Sequence, residues 1–269
     1  MAEQPQKMIY LLPNLMTAGN LFCGFMAVLQ IFEGTVMRRS DVDGWMHHYQ
    51  MSLYFIIGAF IFDLLDGRVA RLGGTESPFG REFDSLADMV SFGVAPALLL
   101  FKIVLYDLPD RVGWLIAFFY LACGTLRLAR FNTLAADPHT KSIRDFTGVP
   151  IPVAAGLIAS ITLMLLHIYE DDRTIGNWKY GLAGLMVFLS FMMFSKIKYP
   201  SFKAVGWRTT LSVPTLLAMM ATIGVVIFTY QYSLAICFTA YVIYGFIRPY
   251  LSKRWRPKID EDDADEAAA

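Results

Sequence analysis

The sequence predicts an all-α polytopic membrane bundle of about eight transmembrane helices, and three observations carry that prediction. Of 269 residues, 56% are hydrophobic and 17% are charged, against roughly 25% charged in a soluble domain. Mean hydropathy is +0.47. The apolar residues recur in runs of about 17–25, the length a helix needs to cross a bilayer. One or two soluble cores could not absorb so much apolar sequence. Formal net charge is zero, so no global field argues for nucleic acid. Cys23, Cys123 and Cys237 all fall inside apolar runs. They read as small buried hydrophobes, not as disulfide partners or metal ligands.

Spans are expected at 11–32, 50–66, 83–106, 113–131, 149–168, 178–195, 211–230 and 232–248. The first lacks a basic leading segment and a small-residue cleavage site, so it is expected to remain as a span. The second is interrupted near its end by Asp63 and Asp66. The last two are joined by a short turn near Gln231–Ser233. With the N-terminus inside, 17 of the 23 basic residues fall in inside segments and 5 in outside ones, with Lys102 inside a span. That asymmetry places both termini in the cytoplasm. The expected organisation is one transmembrane domain over 1–258 and an acidic, disordered tail over 259–269. Lys253 to Lys258 serve either as a topology determinant or as a contact for anionic headgroups.

The informative stretch runs from Phe62 to Pro96. Asp63 and Asp66 are three apart, and Asp84 and Asp88 four apart, so each pair shares one face of its helix. The first pair is expected to close the second span and the second pair to open the third. Between them is expected a loop of about 16 residues containing Gly67, Gly73, Gly74, Pro78 and Gly80. The two helices are then antiparallel neighbours whose acidic ends meet at the cytoplasmic surface.

Each ionised carboxylate near a membrane costs up to roughly 2.5–3.5 kcal/mol, and clustering adds like-charge repulsion. Arg68, Arg71 and Arg81 offset part of this. An all-oxygen ligand set suits Mg²⁺ or Mn²⁺ better, and four carboxylates could hold two such ions about 3.5–4 Å apart. A salt-bridged helix end without metal is the plainer alternative. Gly67, Ala70 and Gly80 leave room for a ligand to approach, and Arg71 could reach a diphosphate.

The pattern Asp63-x2-Asp66-Gly67-x2-Ala70-Arg71-x8-Gly80-x3-Asp84-x3-Asp88 resembles the signature of the CDP-alcohol phosphotransferase family. The resemblance implies that family's membrane fold and the transfer of a substituted phosphate from a CDP-linked donor to an alcohol, with release of CMP. It also implies Asp63, Asp66, Asp84 and Asp88 around the metal, with Asp88 as general base. Asp63, Asp66, Gly67, Ala70, Arg71, Gly80 and Asp84 would contact CDP. A homodimer is implied as well.

Four further stretches resemble integral-membrane members of the family that use serine. They are Leu12 to Gly24, Ser91 to Pro96, Arg127 to Asn132, and Phe146 to Pro152. The implied substrates are CDP-diacylglycerol and L-serine, within membrane lipid. The implied setting is the inner membrane, with the site open to the cytoplasm. The resemblance covers about the first 155 residues. Independently, Arg127 and Arg130 lie at the cytoplasmic end of the fourth span, and spacing of three puts them on one face. They are candidate holders of an acceptor carboxylate, or else topology and headgroup contacts.

Rival readings are a phosphate-bearing acceptor in the same family (glycerol 3-phosphate or an inositol phosphate), an aspartate-rich prenyltransferase, and an ion-coupled transporter. The prenyltransferase should carry acidic motifs in separate halves, whereas both pairs here lie within 26 residues. A transporter should place ionisable groups near the midplane of repeated halves. The acids here cluster at one boundary.

Overall fold

The computed structural model describes residues 11–40, 44–72, 78–108, 111–136, 145–169, 176–195, 197–200 and 229–247. Helices α1 (Leu11–Arg39) and α2 (Trp45–Leu72) form the most extensively packed pair. The third span is composite: α3 (Pro78–Asp88), a π-helical turn (Met89–Val94) and α4 (Ala95–Ile103). A short 3-10 turn follows at Leu105–Asp107. Then come α5 (Val112–Ala136), α6 (Ile151–Ile168), α7 (Trp178–Phe194) and α8 (Tyr230–Ile247). Two short strands, β1 (Asp145–Thr147) and β2 (Lys198–Pro200), pair antiparallel.

Five of these spans are long and apolar enough to cross a membrane, namely α1, α2, the α3–α4 composite, α5 and α6. The helices α7 and α8 are apolar but shorter. Seven expected spans therefore have a helical counterpart. The expected span at 211–230 falls almost wholly outside the described residues, so the described helices do not establish a count of eight. The tail from 259 and the basic segment before it also lie outside them.

The outer surface has the character of a lipid-facing one. Phe22, Phe25 and Phe32 of α1, Phe118 of α5, Phe191 of α7 and Ile236 of α8 are all exposed. A water-soluble monomer does not display apolar side chains on this scale, so the molecule is a multi-pass membrane protein. Cys23 and Cys123 are buried as expected, but Cys237 is exposed on α8. An apolar run does not reveal which of its faces turns inward, because lipid and core are equally apolar.

The helix α6 is the hub of the core. Ile151, Ala154, Ala155, Leu157, Ile158 and Ala159 are buried along it, and it packs against α2, α7, α8 and the π-helical turn. Small residues allow this close approach: at Gly156, an added Cβ would strike the ring of Phe238 on α8. Its entry is fixed by Gly148, whose φ of +80° suits glycine. The N–H of Gly148 donates to Ile197 O at 2.8 Å.

Two features of the third span bear on the site. The helix α2 does not stop near Asp66 but continues to Leu72, and α3 begins at Pro78. Gly67 and Gly80 are thus helical rather than loop residues, and the expected 16-residue loop shrinks to 73–77, which lies outside the described residues. The run Arg68-Val-Ala-Arg-Leu72 has good helix formers at most positions, and Pro78 suits the first helical turn of α3. The second feature is the π-helical turn, in which the N–H of Ala95 donates to Val90 O, five residues back. Two side chains anchor it: Tyr120 Oη–H donates to Phe92 O at 3.0 Å, and Ser91 Oγ–H donates to Asn20 O at 2.9 Å. Such turns often mark functional sites within helices.

Candidate active site

Asp63 and Asp66 come from α2, and Asp84 from α3. Each offers a carboxylate oxygen, and the three oxygens lie within 4.8 Å of one another. At that separation each pair of ionised groups repels by roughly 3–4 kcal/mol at an effective dielectric near 20. Asp66 is buried and the other two are half-buried. Asp84 Oδ1 is buried without a hydrogen-bond partner. A donor set of carboxylate oxygens only, with one such atom orphaned, fits a hard divalent cation.

Asp88, one turn beyond Asp84, is not among these three converging carboxylates. It is 6% exposed, and Asn20 Nδ2 donates to its Oδ1 at 3.0 Å. On the same helix, Thr17 Oγ1–H lies 3.1 Å from both Asp66 Oδ2 and Pro13 O. Thus α1 supplies a polar support to each acidic helix, from two side chains three residues apart. Neither Thr17 nor Asn20 is assigned a role from sequence alone. The available signal is two hydrogen-bonding side chains at helical spacing in an otherwise apolar run.

Arg127 of α5 is 8% exposed, and its Nε is buried without a partner. It lies within electrostatic reach of Asp88 and of Tyr241 on α8. Arg130 is exposed, so the structure separates the two arginines. Nearby, Asn132 ties α5 to α3: its Nδ2 donates to Ser85 Oγ at 2.9 Å and to Glu82 Oε2 at 3.4 Å. Gly67 and Gly80 are half-buried on α2 and α3. Ala70 and Arg71 lie in the last turn of α2, and their side chains fall outside what is described.

The arrangement has three chemical parts. A cluster of three carboxylates can bind a divalent ion. A fourth carboxylate, buried and oriented by an amide, is available as a proton acceptor. A buried guanidinium within electrostatic reach of it can hold an anion.

Residues 10–195 match the family model described as CDP-alcohol phosphatidyltransferase. A protein of Helicobacter pylori (strain J99) named CDP-diacylglycerol–serine O-phosphatidyltransferase is 36% identical over 248 residues, covering 91% of this chain and 93% of its own length. Proteins of the same name are similar in Bacillus subtilis (34% identity; 71% of this chain, 91% of the relative) and in Methanocaldococcus jannaschii (34% identity; 73% and 83%).

Proposed function

Because the chain belongs to the CDP-alcohol phosphatidyltransferase family, we propose that it transfers the phosphatidyl group of CDP-diacylglycerol to the hydroxyl of L-serine. The products are phosphatidylserine and CMP. The relatives named above carry that activity in their names. The observation that carries the reading is the juxtaposition of the Asp63–Asp66–Asp84 cluster with a separate buried Asp88 near Arg127.

In this reading Asp63, Asp66 and Asp84 would hold one or two Mg²⁺ or Mn²⁺ ions. Bound there, a divalent ion supplies charge neutralisation to the diphosphate and to the departing CMP. Gly67, Ala70 and Gly80 leave space for the nucleotide, and Arg71 pairs with a phosphate. Asp88 accepts the serine hydroxyl proton as the serine oxygen–phosphorus bond forms and the phosphorus–oxygen bond to CMP breaks. A single displacement needs no further nucleophile. Arg127 holds the serine carboxylate, and Arg130, being exposed, acts at most at the mouth.

The site faces the cytoplasm of an inner membrane, as the distribution of basic residues favours. The diacylglycerol chains then stay in the bilayer while serine enters and CMP leaves through water. The working unit is a homodimer, as in the family resemblance. An acceptor with a phosphate in place of the carboxylate is the nearest rival.

The test is to incubate purified protein with CDP-diacylglycerol, Mn²⁺ or Mg²⁺, and labelled L-serine, in parallel with glycerol 3-phosphate and inositol phosphate. Equimolar phosphatidylserine and CMP are expected with serine alone. Turnover only with a phosphorylated acceptor would overturn the assignment of serine and leave the family chemistry intact.

A further inference from the structure

Among the described residues, three buried side-chain atoms have no hydrogen-bond partner: Asp84 Oδ1, Asn20 Oδ1 and Arg127 Nε. Buried polar atoms are nearly always satisfied, so each orphan requires an explanation. Each belongs to a residue linked to Asp88. Asp84 precedes it by one helical turn, Asn20 bonds to it directly, and Arg127 lies within reach of its charge. A cation among the carboxylates accounts for the Asp84 oxygen. It does not account for the other two, which are of opposite kind: Arg127 Nε is a donor and Asn20 Oδ1 an acceptor.

The identity of the Asn20 orphan follows from its neighbour. Asn20 Nδ2 donates to Asp88 Oδ1, so the carbonyl oxygen faces elsewhere, and a carboxylate that is to serve as a base only accepts. Turning the amide over would oppose two acceptors. The residue is also anchored from behind. Asn20 is 0% exposed, and its main-chain oxygen receives the Ser91 hydroxyl at 2.9 Å. Gly24, one turn along α1, packs so closely on Ser91 that a Cβ there would meet Ser91 Cα at 2.8 Å. The unpartnered oxygen is therefore held in place beside the proposed base.

A buried acceptor on the amide that bonds to a carboxylate base, with a buried cation in electrostatic reach of that base, offers the complement of a β-hydroxy-α-amino acid. Such a molecule brings an ammonium, a carboxylate and a hydroxyl, each near the other two. We infer that Asn20 Oδ1 receives the α-ammonium of the acceptor, so that Asn20 is a specificity-determining residue. Arg127 then reads the carboxylate and Asp88 takes the hydroxyl proton. The inference rests on the proposed transfer to serine and adds the group that recognises its amine. It also gives a reason for rejecting phosphorylated acceptors, which would bring an anion against a carbonyl oxygen.

The test compares three acceptors at saturating CDP-diacylglycerol and Mn²⁺: L-serine, 3-hydroxypropanoate (no ammonium) and ethanolamine (no carboxylate). The ratio of kcat/KM between two acceptors does not depend on how much of a preparation is folded. Wild type should favour serine over 3-hydroxypropanoate by about ten- to a hundredfold, the range of one hydrogen bond to a charged group. Asn20→Ala should bring that ratio to within about threefold of unity, because the bond that discriminates is gone. Its serine-to-ethanolamine ratio should stay near wild type.

If Asn20 only orients Asp88, Asn20→Ala slows every acceptor alike and leaves the ratio unchanged; that result overturns the inference. So does a wild-type enzyme indifferent to the ammonium. Failure of the serine assignment itself would look different: wild type would form no product from serine.

Discussion

Asn20 of α1 and Asp88 at the end of α3, 68 positions apart in the chain, are joined by a hydrogen bond of 3.0 Å with the amide nitrogen as donor. The carboxylate is thereby fixed without being drawn into the neighbouring acidic cluster. A proton acceptor and a set of metal ligands can then coexist one helical turn apart.

Turnover should depend on the three converging carboxylates. Asp63→Asn, Asp66→Asn and Asp84→Asn should each abolish phosphatidylserine formation and weaken Mn²⁺ binding measured by calorimetry. Excess chelator should stop the wild-type reaction, and added Mn²⁺ or Mg²⁺ should restore it. Full activity in chelator would remove the metal from the mechanism.

Asp88→Asn should behave differently from Asp63→Asn. An amide keeps the shape of the side chain but cannot accept the hydroxyl proton, and general-base catalysis contributes about 10²–10⁴-fold. A loss of that order in kcat is expected, with affinity for CDP-diacylglycerol in Mn²⁺ largely kept. Asp63→Asn should damage both. Equal loss of donor affinity in the two variants would make Asp88 chiefly a ligand.

Thr17→Val removes the hydroxyl that lies 3.1 Å from Asp66 Oδ2 and keeps nearly the same volume. Groups that orient metal ligands typically change metal affinity by about 10–100-fold. The Mn²⁺ concentration for half-maximal rate should rise by that factor, and saturating Mn²⁺ should restore most of the rate. A drop in rate that Mn²⁺ does not repair would assign Thr17 to the substrate instead.

Gly24→Ala should destabilise the bundle, because its Cβ would come within 2.8 Å of Ser91 Cα, a backbone atom that cannot swing aside. Overpacking of this kind costs about 1–3 kcal/mol, visible as a lowered midpoint of thermal unfolding in detergent. Gly58→Ala is the matched control, since its Cβ would meet only Cys23 Sγ at an ordinary 3.6 Å. It should unfold close to wild type.

Topology can be read by chemical labelling. A cysteine at position 75, in a variant lacking the native three, should be inaccessible to a membrane-impermeant maleimide in intact cells and reactive once the membrane is opened. Labelling from outside would place the acidic cluster on the opposite face of the bilayer.

The acidic pairs were legible in the sequence because spacing of three and four specifies a helix face and because carboxylates near a membrane demand compensation. Other features were not legible, for identifiable reasons. Arg68 and Arg71 make the end of α2 polar, and polarity alone does not separate a helix leaving the bilayer from a loop. Arg127 and Arg130 are three apart, which leaves about 60° between them on a helical wheel; here that angle separates a buried guanidinium from an exposed one. Thr17 and Asn20 lay in a stretch whose resemblance was evident, but which span would face the acids depends on packing between helices that are apolar all round. Periodicity does not encode that choice.

The support of the acids by α1 has a bearing on how the chain enters the membrane. Every hydrogen bond described here between α1 and the acidic residues lies within the first 88 residues, whereas Arg127 belongs to a later span. Synthesis proceeds from the N-terminus, so α1 can bond to Asp66 of α2 and to Asp88 of α3 before α5 leaves the ribosome. The nascent hairpin of α1 and α2 carries its own partner for Asp66, which reduces the cost of inserting a carboxylate-bearing helix into lipid. Biogenesis and catalysis thus make the same demand on Thr17 and Asn20. A defect in either residue should show itself first as a shortage of inserted protein and only then as a slow enzyme.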